Sequence, residues 1–195
     1  MIFTVPVILA SNSPRRKQLL KEAGINFEVK SKNVKEDYPI HLKRESIPLF
    51  LSKIKAEAFA GELTNELLIA ADTIVYMNGK IIEKPENREH AVEILQQLSG
   101  NMHEVITGVS IFFQNRLNSF YEVTEVYFAE IPQSSIEYYI DQYKPFDKAG
   151  AYGIQEWIGI THVRKINGCF YNVMGLPVQR LIQELHLLPT AVIKA

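Results

Sequence analysis

The chain has 195 residues, of which 47% are hydrophobic and 22% charged, with a formal net charge of -1. Such values exclude disordered and fibrous classes, and the near-neutral charge supplies no global basic field of the kind that coats nucleic acid. The single cysteine, Cys169, excludes an internal disulfide or a thiolate zinc cluster and fits a reducing compartment.

Val5 to Ala10 reads as a first strand within the apolar run Ile2 to Ala10. That run lacks the charged n-region of a secretory signal, and no segment approaches the ~20 apolar residues of a membrane helix, so a cytoplasmic protein is expected. The strand breaks into Ser11-Asn12-Ser13 and a helix opens at Pro14, with Ser13 as N-cap, Leu19, Leu20 and Ala23 on the inner face and Gly24 as the stop. Arg15 and Arg16 stand in its first turn, where the helix dipole disfavours cations. Backbone N–H groups, the Ser11 and Ser13 hydroxyls and two guanidinium groups converge there. They make either a polyanion site or a solvated basic helix start.

A second strand is read over Asn26 to Val34, a polar loop over Lys35 to Arg44, and a helix from Ser46 or Pro48 to Ala60 with Ile47, Phe50, Leu51, Ile54 and Ala58 inward. Lys55 lies at the edge of that stripe, where a lysine ordinarily snorkels. Leu67 to Tyr76 reads as a central strand, apolar on both faces. Asp72 interrupts it and needs a partner, a metal or a cleft, since a buried carboxylate otherwise costs several kcal/mol. Asn78-Gly79 is a hairpin turn that leads back to Lys84, and Arg88 to Leu98 is a helix with Ala91, Ile94, Leu95 and Leu98 inward. Met102 to Gln114 and Leu117 to Ile131 form a large hairpin, and Ser134 to Tyr143 a helix whose tyrosines pack rather than stack on a ligand. Asp147 to Gln155 is a loop with Gly150 and Gly153 three apart. Short strands are read from Trp157 to Ile166 and up to Val173, then a last helix from Pro177 to His186. With no repeat or linker-like tract, residues 1–195 are expected to form one domain.

The glycine frameworks of P-loop and dinucleotide-binding folds are absent, and the five histidines are never at zinc-ligand spacing. Cationic loop ends plus carboxylates remain, the kit for phosphoryl chemistry with Mg²⁺ or Mn²⁺. Asp72 would activate water as a general base or hold the metal that does so, and Glu36 is the best second carboxylate.

Together, Ser11-Asn12-Ser13-Pro14-Arg15-Arg16, Ala71-Asp72-Thr73, Lys84-Pro85, Asp147-Lys148-Ala149-Gly150-Ala151-Tyr152-Gly153-Ile154-Gln155 and Met174-Gly175-Leu176-Pro177 resemble, in order and spacing, the Maf family of nucleoside triphosphate pyrophosphatases. The resemblance implies an α/β fold with an elongated mixed sheet, flanking helices and two lobes around a cleft, similar to inosine triphosphate pyrophosphatases. It implies hydrolysis of a nucleoside triphosphate to monophosphate and pyrophosphate with a divalent cation, by attack of water on the α-phosphorus, and suggests a homodimer. Carried over residue by residue, it makes Asp72 the proton acceptor with Glu36 as second acid. It assigns the phosphates to Ser11, Ser13, Arg16, Lys55 and Lys84. Specificity falls to Arg15, Thr73 and Gln155, a combination similar to the branch acting on dTTP and UTP. Two positions depart from the pattern: Lys35 replaces an acidic neighbour of Glu36, and Glu156-Trp157-Ile158-Gly159 follows Gln155 where glycine is expected at once. A nucleotide-binding regulator of cell division and a nucleotidyltransferase are the alternatives, separable by product analysis.

Overall fold

The fold is taken from a computed structural model, which describes residues 2–188 and 193–194. Strand β1 (Ile2–Phe3) pairs antiparallel with the last strand, β9 (Ile193–Lys194). Among the described residues seven strands form one mixed sheet. In it β2 (Val7–Leu9) lies between β3 (Glu28–Val29) and β4 (Leu67–Met77) and runs parallel to both. The order continues through β6 (Met102–Phe113) and β7 (Arg116–Phe128) to β8 (Val163–Asn167), antiparallel to β7. Strand β5 (Lys80–Ile82) folds back on β4. The turn between β4 and β5 needs positive φ at Asn78 and Gly79, +52° and +80°, which the Asn-Gly pair takes without strain.

The chain divides into two compact units. The first comprises Met1–Asp72, Thr107–Glu122 and Gly175–Ala195. Its core joins Ile8, Ala10, Leu68, Ala70 and Phe112 of the sheet to Ala56 and Phe59. Each fully buried large aliphatic there contributes about 1.5–3 kcal/mol. Helix α1 (Pro14–Glu22) buries Leu19 and Leu20. Helix α2 (Ser46–Glu57) buries Ile47, Pro48, Leu51, Ser52 and Ala56, leaving Phe50, Ile54 and Ala58 only half-buried. The helix is thus rotated from the expected stripe. Two small residues on β6 explain this: a Cβ on Gly108 would lie 2.3 Å from the Pro48 carbonyl oxygen, and Ser52 shares a 2.8 Å hydroxyl contact with Ser110.

The second unit comprises Thr73–Ile106 and Val123–Met174. Helix α3 (Arg88–Leu98) buries the expected Ala91, Ile94, Leu95 and Leu98, and packs on α4 (Gln133–Tyr143) and on a 3₁₀ turn at Ala149–Ala151. Two expectations fail in outline. The strand at Asn26 to Val34 shrinks to β3. The strands read between Trp157 and Val173 are, apart from β8, two short helices, α5 (Trp157–His162) and α6 (Phe170–Val173). Tertiary packing overrides the β-branched composition here. Gly159 seats α5 directly on the backbone of Ile154, where a Cβ would come within 2.0 Å of the carbonyl oxygen. The Asn172 side chain ties α6 to the Val105 carbonyl at 3.0 Å and to the Thr124 hydroxyl at 2.9 Å. The last helix, α7 (Val178–His186), follows Pro177 as expected.

Candidate active site

In the first unit the parallel register of β2 and β4, with Leu9 opposite Ile69, sets the carboxyl end of β2 beside the first half of the longer β4. Ser11 to Arg16 follow the end of β2, and Ala71 and Asp72 stand two and three residues past Ile69, in the middle of β4. Ser13 caps α1 by accepting from the Arg16 amide at 3.5 Å, and the Ser11 hydroxyl accepts from the Ser13 amide at 3.2 Å. Arg16 turns inward. Its Nε donates to the Gly175 carbonyl at 2.8 Å, and its Nη1 donates to the Ala71 carbonyl at 2.8 Å and to Ser11 Oγ at 3.2 Å. Burial lowers the pKa of this guanidinium, opposed by Asp72 and Glu36 and reinforced by Arg15, yet an arginine stays charged in water and protein alike. The rule broken at the helix start thus has a physical reason: Arg16 ties the Ser11–Ser13 turn to β4 and to the Gly175 loop.

Asp72 is 8% exposed. Its Oδ1 lies 2.6 Å from Lys55 Nζ, and the same ammonium lies 2.9 Å from Glu36 Oε1. Lys55 is therefore a paired cation and no snorkelling surface lysine. The Glu36 side chain remains 56% exposed. Lys35, the departure beside it, turns outward to an exposed ion pair with Asp37. Ser11, Ser13, Arg16, Glu36, Lys55 and Asp72 are thus gathered in one unit, with Arg15 in the first turn of α1.

Among the described residues no group of three or more His, Cys, Asp or Glu side chains is arranged to hold a metal ion. Two carboxylates that meet on one ammonium nevertheless suit Mg²⁺, which takes one or two protein carboxylates and completes its shell with substrate phosphates and water.

Thr73, Lys84 and Gln155 belong to the second unit. Thr73 is half-buried, and Lys84 is exposed just past β5. The Gly150 amide donates to the Glu83 carbonyl at 3.1 Å, which pins the Asp147–Gln155 loop beside Lys84. Gly150 takes φ +73° there, and a side chain would press on Val75. Gln155 lines a pocket of about 490 Å³ with Ile154, Gly159, Ile160, Arg164 and Phe170. Its Oε1 is buried without a hydrogen-bond partner among the described residues. Trp157 packs edge-on against Tyr138 at 4.9 Å between ring centroids, within its own unit.

A network that sequence reasoning missed supports this loop. Lys148, 8% exposed, lies 2.8 Å from Asp147 and 3.2 Å from Glu156. The buried Tyr139 hydroxyl accepts from the Gly153 amide at 3.0 Å and donates to the Glu156 carboxylate. Burial, aided by Glu156, raises the Tyr139 pKa, so it remains a donor at neutral pH. The one signal in the sequence was Glu156 itself, standing where glycine was expected.

The profile of the family described as "Maf-like protein" matches residues 6–188. A dTTP/UTP pyrophosphatase of Cytophaga hutchinsonii is 57% identical over 179 residues, covering 92% of this chain and 82% of the relative. One of Phocaeicola vulgatus is 53% identical over 181 residues, covering 92% and 94%. Among solved structures, the Staphylococcus aureus Ham1 protein aligns with a TM-score of 0.44 at 18% identity, over 64% of this chain and 72% of that one.

Proposed function

The chain belongs to the Maf family, and from that premise we propose that it hydrolyses dTTP and UTP to the nucleoside monophosphate and pyrophosphate. The observation that carries the chemistry is the Lys55 ammonium held between the Asp72 and Glu36 carboxylates in the unit that also holds the Ser11–Arg16 turn.

Asp72 orients a water toward the α-phosphorus and accepts its proton as the bond to the pyrophosphate oxygen breaks. Its burial and its contact with Lys55 hold the carboxylate in one place for that transfer. Asp72 and Glu36 would hold a divalent cation, which supplies electrophilic stabilisation of the phosphate oxygens when bound. Lys55 and Lys84 offset charge on the departing phosphates. Ser11 and Ser13 donate from the turn, and Arg16 adds its charge from beneath while keeping that turn fixed to β4. Arg15, Thr73 and Gln155 select the base, Gln155 through the amide whose oxygen has no hydrogen-bond partner among the described residues. The whole chain acts as one Maf-like domain, and its one cysteine and nucleotide substrate favour a cytoplasmic place of action.

Product analysis tests the reading. The protein is incubated with dTTP, UTP, CTP and 7-methyl-GTP in Mg²⁺ or Mn²⁺, and monophosphate and pyrophosphate are expected first from dTTP and UTP. Release of nucleoside diphosphate and phosphate overturns it, as does tight binding of nucleotide without turnover in either metal.

A further inference from the structure

We propose that Glu156 is a positioning residue that sets base selectivity by fixing Gln155, a role that rests on Gln155 reading the base. Glu156 occupies the N-cap position of α5 but makes no capping bond with its side chain. The side chain instead folds back over the loop. A Cβ on Gly153 would lie 2.7–2.9 Å from the Glu156 carboxyl atoms, so glycine at 153 is what lets the carboxylate lie there. One carboxylate oxygen receives the Tyr139 hydroxyl and the other faces Lys148 Nζ at 3.2 Å. Tyr139 in turn accepts from the Gly153 amide, and the Glu156 amide donates to the Gly153 carbonyl at 3.0 Å.

Residues 153 and 156 are therefore clamped to each other through backbone, side chain and a buried phenol, with Gln155 between them. The slack of the two residues between them, 154 and 155, both of which line the pocket, is thereby removed. Lys148 and Tyr139 are both buried, so this clamp is held from the interior. Glycine at position 156 would supply no such carboxylate, so the clamp depends on the Glu156 side chain. Rigid support of a recognising amide raises discrimination because a substrate that fails to match it leaves buried polar groups unpaired.

The test measures kcat and KM for dTTP, UTP and CTP with Gln155→Ala, Glu156→Ala, Glu156→Gln and the Gln155→Ala/Glu156→Ala double variant. Glu156→Ala is expected to reduce the preference for dTTP and UTP over CTP about tenfold, through KM more than kcat, as for a lost buried hydrogen bond to a charged group. Glu156→Gln, which still accepts from Tyr139, should restore part of that preference. The double variant should be no less selective than Gln155→Ala, because Glu156 acts through Gln155. If Glu156→Ala misfolds, Tyr139→Phe breaks the same bridge while keeping the ring and the Lys148 pair, and should lower selectivity likewise. Unchanged selectivity in the Glu156 and Tyr139 variants, or losses that add to that of Gln155→Ala, overturns the positioning role. If Gln155→Ala itself leaves selectivity intact, what fails is the reading of Gln155.

Discussion

Lys55 Nζ lies 2.6 Å from Asp72 Oδ1, and this contact joins a helix to the centre of the sheet across 17 residues of sequence. Their side chains are 17% and 11% exposed, so water screens the pair poorly. A carboxylate that would be costly alone in β4 is thereby paired where it stands.

Replacing Asp72 by Asn keeps the shape and removes the proton acceptor. Turnover of dTTP should fall by about 10²–10⁴-fold, the usual contribution of general-base catalysis. The Lys55 ammonium retains Glu36 at 2.9 Å, so thermal unfolding should shift little. Steady-state kinetics and a melting curve on the same preparation check both halves, and a rate within threefold of the parent would remove Asp72 from the proposed mechanism.

Much of this arrangement was legible in the sequence wherever one local rule decided the outcome. Pro14 after Ser13 marked the start of α1, Asn78-Gly79 marked a hairpin, and Ala91, Ile94, Leu95 and Leu98 marked the buried face of α3. Asp72 stood out because a charge in an apolar strand demands a cause. What was not legible was partnership at a distance. Nothing at Lys55 alone distinguishes a snorkelling lysine from one seated between two carboxylates, and the choice follows from the rotation of α2 that Gly108 and Ser110 permit. The stretch 157–173 misled for a related reason: Trp157, Ile158, Ile160 and Thr161 have strand propensity, but Gly159 on the Ile154 backbone and the Asn172 bonds impose helical turns.

Arg16 is expected to be irreplaceable by lysine. Its Nε and Nη1 serve the Gly175 and Ala71 carbonyls from one planar fork, a geometry that an ammonium on a flexible stem does not reproduce. Arg16→Lys should leave at least one carbonyl unmet and cost about 1–3 kcal/mol by urea denaturation. Activity should fall as well, since the turn bearing Ser11 and Ser13 loses its anchor. Arg15→Ala, by contrast, should alter preference among triphosphates more than stability. Equal stability losses from the two changes would deny Arg16 its anchoring part.

Gly108 tests whether helix placement governs the site. A methyl group there would lie 2.3 Å from the Pro48 carbonyl oxygen and 2.5 Å from the Leu49 amide, contacts with backbone that no rotamer relieves. The N-terminal turn of α2 must move, and overpacking of this kind costs about 1–3 kcal/mol. Because Lys55 rides on α2, Gly108→Ala should also raise KM for dTTP while the fold persists. Calorimetry together with initial rates measures the two effects, and a destabilised variant with an unchanged KM would uncouple the helix from the site.

His103 should make stability depend on pH. Its ring is wholly buried, stacks on Phe128 and bonds Tyr152 at 2.7 Å through Nε2, while Nδ1 has no partner among the described residues. Burial pushes its pKa down to about 3 from the ordinary 6.5. The unfolded chain therefore binds a proton that the folded chain refuses between these values. This contribution is complete above pH 6.5 and is lost as pH falls toward 3, by roughly 1.4 kcal/mol per unit. His103→Phe removes the titrating group. It should be less stable than the parent at pH 7.5, where the Tyr152 hydroxyl loses its partner, yet the gap should narrow as pH drops from 6.5 to 5. Tyr152→Phe loses the same hydrogen bond but keeps the imidazole, so its stability should fall with acid as steeply as the parent's. Urea titrations of the three proteins at pH 7.5, 6 and 5 distinguish these slopes, and parallel curves for His103→Phe and the parent would mean that the acid sensitivity arises elsewhere.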